Sequence, residues 1–99
     1  MVDSTVRVTA SVAAENTGTG WLKLRADHSF FDISVGGAFA ATAYLQRKRP
    51  GEAASVVRDI ESYTGGTEKL GEMQGHWDVR LFVKTGDYVS GTVEMELAG

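Results

Sequence analysis

Apolar and polar residues alternate along much of this chain, and this alternation limits the possible folds more than any other feature of the sequence. It is clearest over residues 76–84, where one side of the pattern is apolar: Trp77, Val79, Leu81 and Val83. The intervening positions are Asp78, Arg80, Phe82 and Lys84. Period-two alternation is typical of an antiparallel strand with one buried and one wet face, whereas buried parallel strands give continuous apolar runs.

The same pattern recurs in short segments separated by turn-forming residues. It predicts strands over residues 5–12, 21–25, 30–35, 39–47 and 91–97, with a weaker strand near 68–72. Gly36-Gly37, Lys48-Arg49-Pro50-Gly51 and Gly65-Gly66 supply the turns, because Gly and Pro adopt the backbone angles that tight reversals need. The loop over 14–20 and a break at Asp27-His28 separate the early strands.

Residues 52–63 leave two interpretations open. Ala53, Val56, Val57 and Ile60 follow a helical spacing, but the β-branched pair and the nearby Tyr63 favour a strand. We expect a strand over 56–63, with a helix over 52–60 as the alternative.

These elements amount to seven or eight strands in one domain, residues 1–99. Two sheets packed around Phe31, Ile33, Trp77 and Leu81 form a small antiparallel β-sandwich, jelly-roll or immunoglobulin-like. A chain of 99 residues has room for one such core.

A weak internal repeat links two parts of the chain. Residues 37–43 (Gly-Ala-Phe-Ala-Ala-Thr-Ala) are similar to residues 86–93 (Gly-Asp-Tyr-Val-Ser-Gly-Thr-Val), with one extra residue in the second copy. The simplest interpretation is that two edge hairpins use the same turn.

Composition excludes several classes of function. The chain has no Cys, so it forms neither disulfides nor thiolate sites, and we expect no cofactor. Its net charge of −3, with acids and bases interspersed, gives no electrostatic basis for binding nucleic acid or an anionic membrane. The apolar runs are too short to span a bilayer, and the start Met-Val-Asp-Ser lacks the pattern of a signal peptide.

No catalytic or metal-binding set is predicted. His28 follows Asp27 directly, which would put the two side chains on opposite faces of a strand, and no Gly-x-Ser-x-Gly motif occurs. His76 and His28 are far apart in sequence, and the acids lack calcium-loop spacing. We therefore expect a protein that is not an enzyme and has no metal site.

Five residues are candidates for contact with a partner. Arg47, Lys48 and Arg49 form the only basic run and are predicted to lie exposed in a turn, where they could meet an acidic surface. Trp21 and Tyr88 are candidate contact aromatics, which suit either a protein interface or a sugar-binding surface.

Two segments carry a family resemblance. Residues 37–47, the Pro50-Gly51 turn and residues 57–64 resemble a pattern in small virion proteins of tailed bacteriophages and prophages: Gly-x-Phe-x-Gly-Thr-Val-x-Leu-Gln-Arg, a turn, and a strand ending in an aromatic. Residues 77–93 are similar to that family's Tyr-Arg-Leu…Tyr-x-Ser-Gly-Thr-Val ending. The two pieces cover about half of the chain, in the same order.

The resemblance implies a structural role in a virion. The expected function is a capsid decoration, or cement, protein that binds the major capsid protein or other virion proteins. The expected assembly is a homo-oligomer, with a trimer favoured over other forms. A head–tail junction or tail protein is the first alternative, and a carbohydrate-binding or adhesion module that uses Trp21 and Tyr88 is the second.

Overall fold

A computed structural model describes residues 7–24, 30–53, 56–73 and 75–99 of the chain. These residues form strands and contain no α-helix, which confirms the all-β prediction. The strands are β1 (Arg7–Val12), β2 (Thr17–Gly18), β3 (Leu22–Leu24), β4 (Phe30–Gly36), β5 (Phe39–Ala41), β6 (Ala43–Lys48), β7 (Arg58–Tyr63), β8 (Thr67–Glu72), β9 (Trp77–Val83), β10 (Tyr88–Gly91) and β11 (Val93–Ala98). The break predicted at Asp27-His28 lies outside the described residues.

The strands pair in three antiparallel sheets. A four-stranded sheet has the order β1-β11-β4-β8, and a five-stranded sheet has the order β2-β9-β6-β7 with β3 also paired to β9. The short strands β5 and β10 pair with each other. The central strands β9 and β11 both come from the last quarter of the sequence, which makes the whole chain necessary for both large sheets.

The two large sheets enclose one apolar core, as the alternation predicted. Phe31, Ile33 and Val35 of β4 are buried, and so are Leu81 of β9 and Leu97 of β11. Each such side chain contributes roughly 1.5–3 kcal/mol when it is removed from water. The sandwich is therefore held together mainly by the apolar face of each predicted strand.

The strands differ from the prediction in more than their exact ends. Strand β10 was not predicted, and Gly91, which was expected to begin the last strand, belongs to β10 instead. The strand expected over 39–47 is divided at Thr42, whose backbone N–H donates to the carbonyl oxygen of Asp87 (2.8 Å) instead of continuing a sheet. Part of the loop predicted over 14–20 forms β2. Residues 52–63, for which two interpretations were open, contain β7, so the strand interpretation holds from Arg58 onward. Val56 lies in a single helical turn, and residues 54–55 lie outside the described part. Short strands of this kind raise the number to eleven, above the predicted seven or eight.

The two copies of the internal repeat bond to each other. Phe39 pairs with Gly91, and Ala41 pairs with Tyr88. Gly37 and Gly86, which begin the two copies, both have left-handed backbone angles (φ 95° and 88°). The two copies of the repeat thus pair with each other in the two-stranded sheet.

The bonds that flank this pairing are reciprocal. The N–H of Thr42 donates to Asp87, and the N–H of Thr92 donates to the carbonyl oxygen of Ala38 (3.0 Å). In each case a threonine bonds to the residue that follows the first glycine of the other copy. The strands on either side of each copy are paired in the same way: β4, which precedes β5, pairs with β11, which follows β10, and β6, which follows β5, pairs with β9, which precedes β10. Two strand–short strand–strand units, β4-β5-β6 and β9-β10-β11, thus pair with each other in the same pattern at both ends.

Candidate functional site

Two arginines stack on one tryptophan at an end of the five-stranded sheet. The Cζ atom of Arg47 lies 4.0 Å from the centre of the Trp77 ring, and that of Arg49 lies 4.2 Å from it. The register explains this contact: Lys48 of β6 is opposite Asp78 of β9, which brings both neighbours of Lys48 beside Trp77. Trp77 is buried, so its ring is a fixed platform for both guanidinium groups.

A third arginine joins them from the adjacent strand. Arg58 of β7 is directly opposite Arg47 and lies 3.9 Å from a carboxylate oxygen of Glu52. Glu52 also accepts a hydrogen bond from the backbone N–H of Arg49 (2.8 Å) and so fixes the turn after β6. We call Arg47, Arg49, Arg58 and Trp77 the arginine end.

The Nε atom of Arg47 is buried and has no hydrogen-bond partner among the described residues. The guanidinium group that contains this atom contacts the face of the Trp77 ring instead. Arg49 and Arg58 are exposed, so both can reach a partner.

The prediction that Lys48 is exposed in a turn is wrong. Strand β6 continues through Lys48, and the period-two alternation turns this side chain to the sheet face opposite the one that carries Arg47 and Arg49. There the Nζ atom lies 3.1 Å from Oδ2 of Asp78, and the two side chains are only 10% and 8% exposed. The turn begins one residue later, at Arg49, so Lys48 is a structural ion-pair residue and is not available to a partner.

Trp21 belongs to a second cluster, on the outer face of the five-stranded sheet. Nζ of Lys48 lies 4.9 Å from the centre of the Trp21 ring, and Cζ of Arg80 lies 4.4 Å from it. Arg80 also lies 4.0 Å from the centre of the Phe82 ring. We call this surface the cationic aromatic face; its members are Trp21, Lys23, Tyr44, Gln46, Lys48, Asp59, Asp78, Arg80, Phe82 and Lys84.

A hydrogen-bonded chain crosses this face. Nε of Arg80 donates to Oε1 of Gln46 (2.9 Å), and Nε2 of Gln46 donates to Oδ1 of Asp59 (2.9 Å). Nζ of Lys84 donates to Oδ2 of Asp59 (2.7 Å) and lies 4.1 Å from the centre of the Tyr44 ring. The polar side chains of the face are thus held in place by one another.

The same contacts shift the protonation equilibria. The hydrogen bond from Lys84 lowers the pKa of Asp59, and the hydrogen bond to Asp59 raises the pKa of Lys84. Burial lowers the pKa of Arg80. These groups all keep their charges near neutral pH, so the face is a fixed array of charges.

Tyr88 lies elsewhere. It is part of β10 in the two-stranded sheet, and its hydroxyl donates to the carbonyl oxygen of Gly91 (2.8 Å). Its ring is partly buried against the core. Trp21 lies beside β3 of a different sheet, and its ring is contacted by cations. The structure therefore does not join Trp21 and Tyr88 in one sugar-binding platform.

The outer face of the four-stranded sheet has a different character. Its carboxylates are Asp32, Glu68, Glu72, Glu94 and Glu96. Arg7 of β1 forms an ion pair with Glu96, Ser11 donates to Glu94, and Ser34 donates to Glu68. We call this surface the acidic face.

The predicted contact residues did not include Tyr44, Arg80, Phe82 and Lys84 of the cationic aromatic face. Trp77 was predicted for the core and is buried there, but its contacts with Arg47 and Arg49 were not predicted. The alternation over 76–84 had already placed Arg80, Phe82 and Lys84 on the wet side of a strand. The missing information was the register of β6 against β9, which sets Tyr44 opposite Phe82 and Gln46 opposite Arg80. A long-range register cannot be read from the spacing within either strand.

The described residues contain neither a group of metal ligands nor a membrane-spanning helix. Within the described ranges, no three acidic or histidine side chains are grouped closely enough to hold a metal ion. None of the described segments is a helix of the length and hydrophobicity that crossing a bilayer requires.

Comparison with known proteins gives no relatives: the chain matches no family model, no curated protein and no solved structure.

Proposed function

We propose that this chain is a structural protein of a tailed-phage virion, and specifically a capsid decoration protein that binds the outside of the head shell. The observation that carries the proposal is the arginine end, where Arg47 and Arg49 are stacked on the buried Trp77. The resemblance of residues 37–64 and 77–93 to small virion proteins supplies the biological setting.

The arginine end suits an acidic protein surface. Guanidinium groups bind carboxylates with two parallel hydrogen bonds, and Arg and Trp are enriched among the residues that dominate binding energy. A side chain already held on a ring loses less conformational entropy when a partner arrives. Arg49, which is stacked on Trp77, therefore provides a preorganised contact for carboxylates of the major capsid protein, and the exposed Arg58 adds a second guanidinium beside it.

Binding of this kind stabilises a shell through mass action. A decoration protein that binds only the assembled shell lowers the free energy of that state, and the gain increases with its concentration relative to Kd. The chain is small and has a rigid β core, which suits a part present in many copies on a symmetric lattice.

The test uses virions of the phage or prophage that encodes the chain. Particles lacking the protein are mixed with purified wild-type chain, with Arg49→Glu, or with Arg7→Glu as a control. Both variants lower the net charge by two, but Arg7 lies on the acidic face. We measure bound copies by gel densitometry, and we measure resistance of the particles to heat and to chelators.

Wild-type chain and Arg7→Glu should bind in hundreds of copies and restore resistance, while Arg49→Glu should bind at least about tenfold more weakly. Roughly a dozen copies per particle would instead indicate a head–tail junction, whose ring symmetry limits the number. Resistance that does not depend on the protein would refute the cementing role, and equal binding by both variants would refute the arginine end as the contact.

A further inference from the structure

The two outer faces of the sandwich carry opposite charge. Among the described residues, the acidic face has five carboxylates and one cation, Arg7. The cationic aromatic face has four cations, Lys23, Lys48, Arg80 and Lys84, and two carboxylates, Asp59 and Asp78. One surface is therefore negative and the surface on the other side of the same molecule is positive.

The positive charge is not cancelled within its own face. Lys48 pairs with Asp78 and Lys84 pairs with Asp59, so Lys23 and Arg80 supply the excess. Lys23 is exposed, and Arg80 is held between Trp21 and Phe82. The face presents this charge around a shallow depression, lined in part by Gln46, Phe82 and Lys84.

Apolar groups accompany the charge on both sides. On the acidic face Phe30 is 63% exposed and Leu70 is 74% exposed. The register sets Phe30 opposite Glu72 and Asp32 opposite Leu70, so the two apolar side chains are diagonal neighbours on the same outer face. The other face offers the half-buried rings of Trp21, Tyr44 and Phe82. Each face thus combines an apolar patch with charge complementary to that of the other face.

We propose that the acidic face of one copy of this chain docks on the cationic aromatic face of a second copy. The contact is head-to-tail, because it uses different surfaces on the two partners. A pair bound in this way retains a free cationic aromatic face on one copy and a free acidic face on the other, so the assembly closes into a ring or continues as an open chain. A trimer is one closed form of this contact.

A symmetric pairing of identical surfaces fits the charges less well. Acidic face against acidic face brings carboxylates together, and cationic face against cationic face brings Lys23 and Arg80 together. The exposed edge of β8 gives the same result: if Leu70 pairs with Leu70 of a second copy, Glu68 comes opposite Glu72. Like charges directly opposite each other destabilise a sheet.

The size of the faces sets the expected strength. Four strands at a spacing of about 4.8 Å and about six residues at about 3.3 Å per residue give a face of about 19 by 20 Å. Two such faces bury roughly 800 Å² in total, which is below the standard size for stable complexes. The association should therefore be weak, dependent on concentration and sensitive to salt.

The test is sedimentation velocity of the purified full chain over a range of concentrations. One variant reverses charge on the positive side (Lys23→Glu/Lys84→Glu), and another does so on the negative side (Asp32→Lys/Glu94→Lys). Wild-type chain should associate, and its apparent Kd should rise about tenfold or more between about 0.05 M and about 0.5 M salt. Each variant alone should remain monomeric. An equimolar mixture should form a 1:1 dimer and nothing larger, because each variant retains only one functional face.

The control is Arg49→Glu/Arg58→Glu, which lowers the net charge by the same four units as Lys23→Glu/Lys84→Glu but lies at the arginine end. It should associate like wild type while failing to bind capsids, which separates this proposal from the proposed function. A monomeric wild-type chain at every concentration overturns the head-to-tail contact. So does a mixture of the two face variants that stays monomeric, and so does undiminished association of either variant alone.

Discussion

Replacing Lys48 with Met tests whether the ion pair beneath Trp21 is a buried structural element. The Nζ and Oδ2 atoms of Lys48 and Asp78 are 3.1 Å apart, and both side chains are at most 10% exposed. At an effective dielectric constant of about 20, charges at this distance attract each other by about 5 kcal/mol. Removal of one partner leaves the other charge buried, which costs roughly 3–5 kcal/mol.

That loss is large for a domain of this size. Small domains have free energies of unfolding of about 5–15 kcal/mol, so Lys48→Met should remove about a fifth or more of this free energy and lower Tm by about 12 °C or more. Asp78→Val should have a similar effect. The double variant Lys48→Met/Asp78→Val should recover most of the loss, because an apolar pair of similar volume replaces the ion pair without burying an unpaired charge.

The measurement is urea unfolding of wild type, both single variants and the double variant, analysed as a double-mutant cycle. The matched control is Lys84→Met, whose partner Asp59 is closer (2.7 Å) but whose ion pair is more than a third exposed. It should cost much less than Lys48→Met, because water screens an ion pair this exposed. The reasoning is refuted if Lys48→Met costs no more than Lys84→Met, or if the double variant costs the sum of the two single changes.

The remaining predictions concern a glycine and a carboxylate. Gly91 and Gly86 have nearly the same φ (85° and 88°), but a Cβ atom at Gly91 would lie 2.2 Å from the carbonyl oxygen of Ala38, while one at Gly86 meets nothing within 4 Å. Gly86→Ala should cost about 1–2 kcal/mol in urea unfolding and Gly91→Ala clearly more; equal costs would contradict the steric argument. The pKa of Asp59 is lowered in the folded state by Lys84, so its stabilising effect is complete above its ordinary value of 3.8 and is lost as pH falls through the folded pKa. Asp59→Asn should therefore flatten the loss of stability below about pH 4, and an unchanged acid slope would show that this carboxylate is not linked to folding.

Local pattern was enough to predict the class of fold. Residues 30–35 and 76–84 alternate strictly, and both form strands with the expected buried face. Local pattern was insufficient where a distant partner determines the structure. Thr42 interrupts a continuous alternating run only because Asp87 accepts its N–H, and nothing within residues 39–47 indicates this.

The candidate site shows the same limit. The basic run at 47–49 was predicted to lie exposed in one turn, but adjacency in sequence concealed that its members face opposite sides of a sheet. Arg47 and Arg49 contact Trp77, whereas Lys48 pairs with Asp78. A one-residue error in the end of β6 was enough to change Lys48 from a buried residue to a predicted contact residue.

The positions of β9 and β11 determine when this protein can fold. β11 lies between β1 and β4, and β9 is the strand to which β2, β3 and β6 all bind. Until residues 77–98 have been synthesised, β1, β2 and β3 lack the strands with which they pair. The apolar side of β4 then faces a second sheet that consists of β6 and β7 alone.

Folding that requires such distant contacts is slow, because the entropy of closing large loops is lost before the contacts form. Residues 77–98 must therefore have left the ribosome before the two large sheets can form. A truncation of even the last strand should abolish the fold rather than shorten it, because the four-stranded sheet would lose its centre.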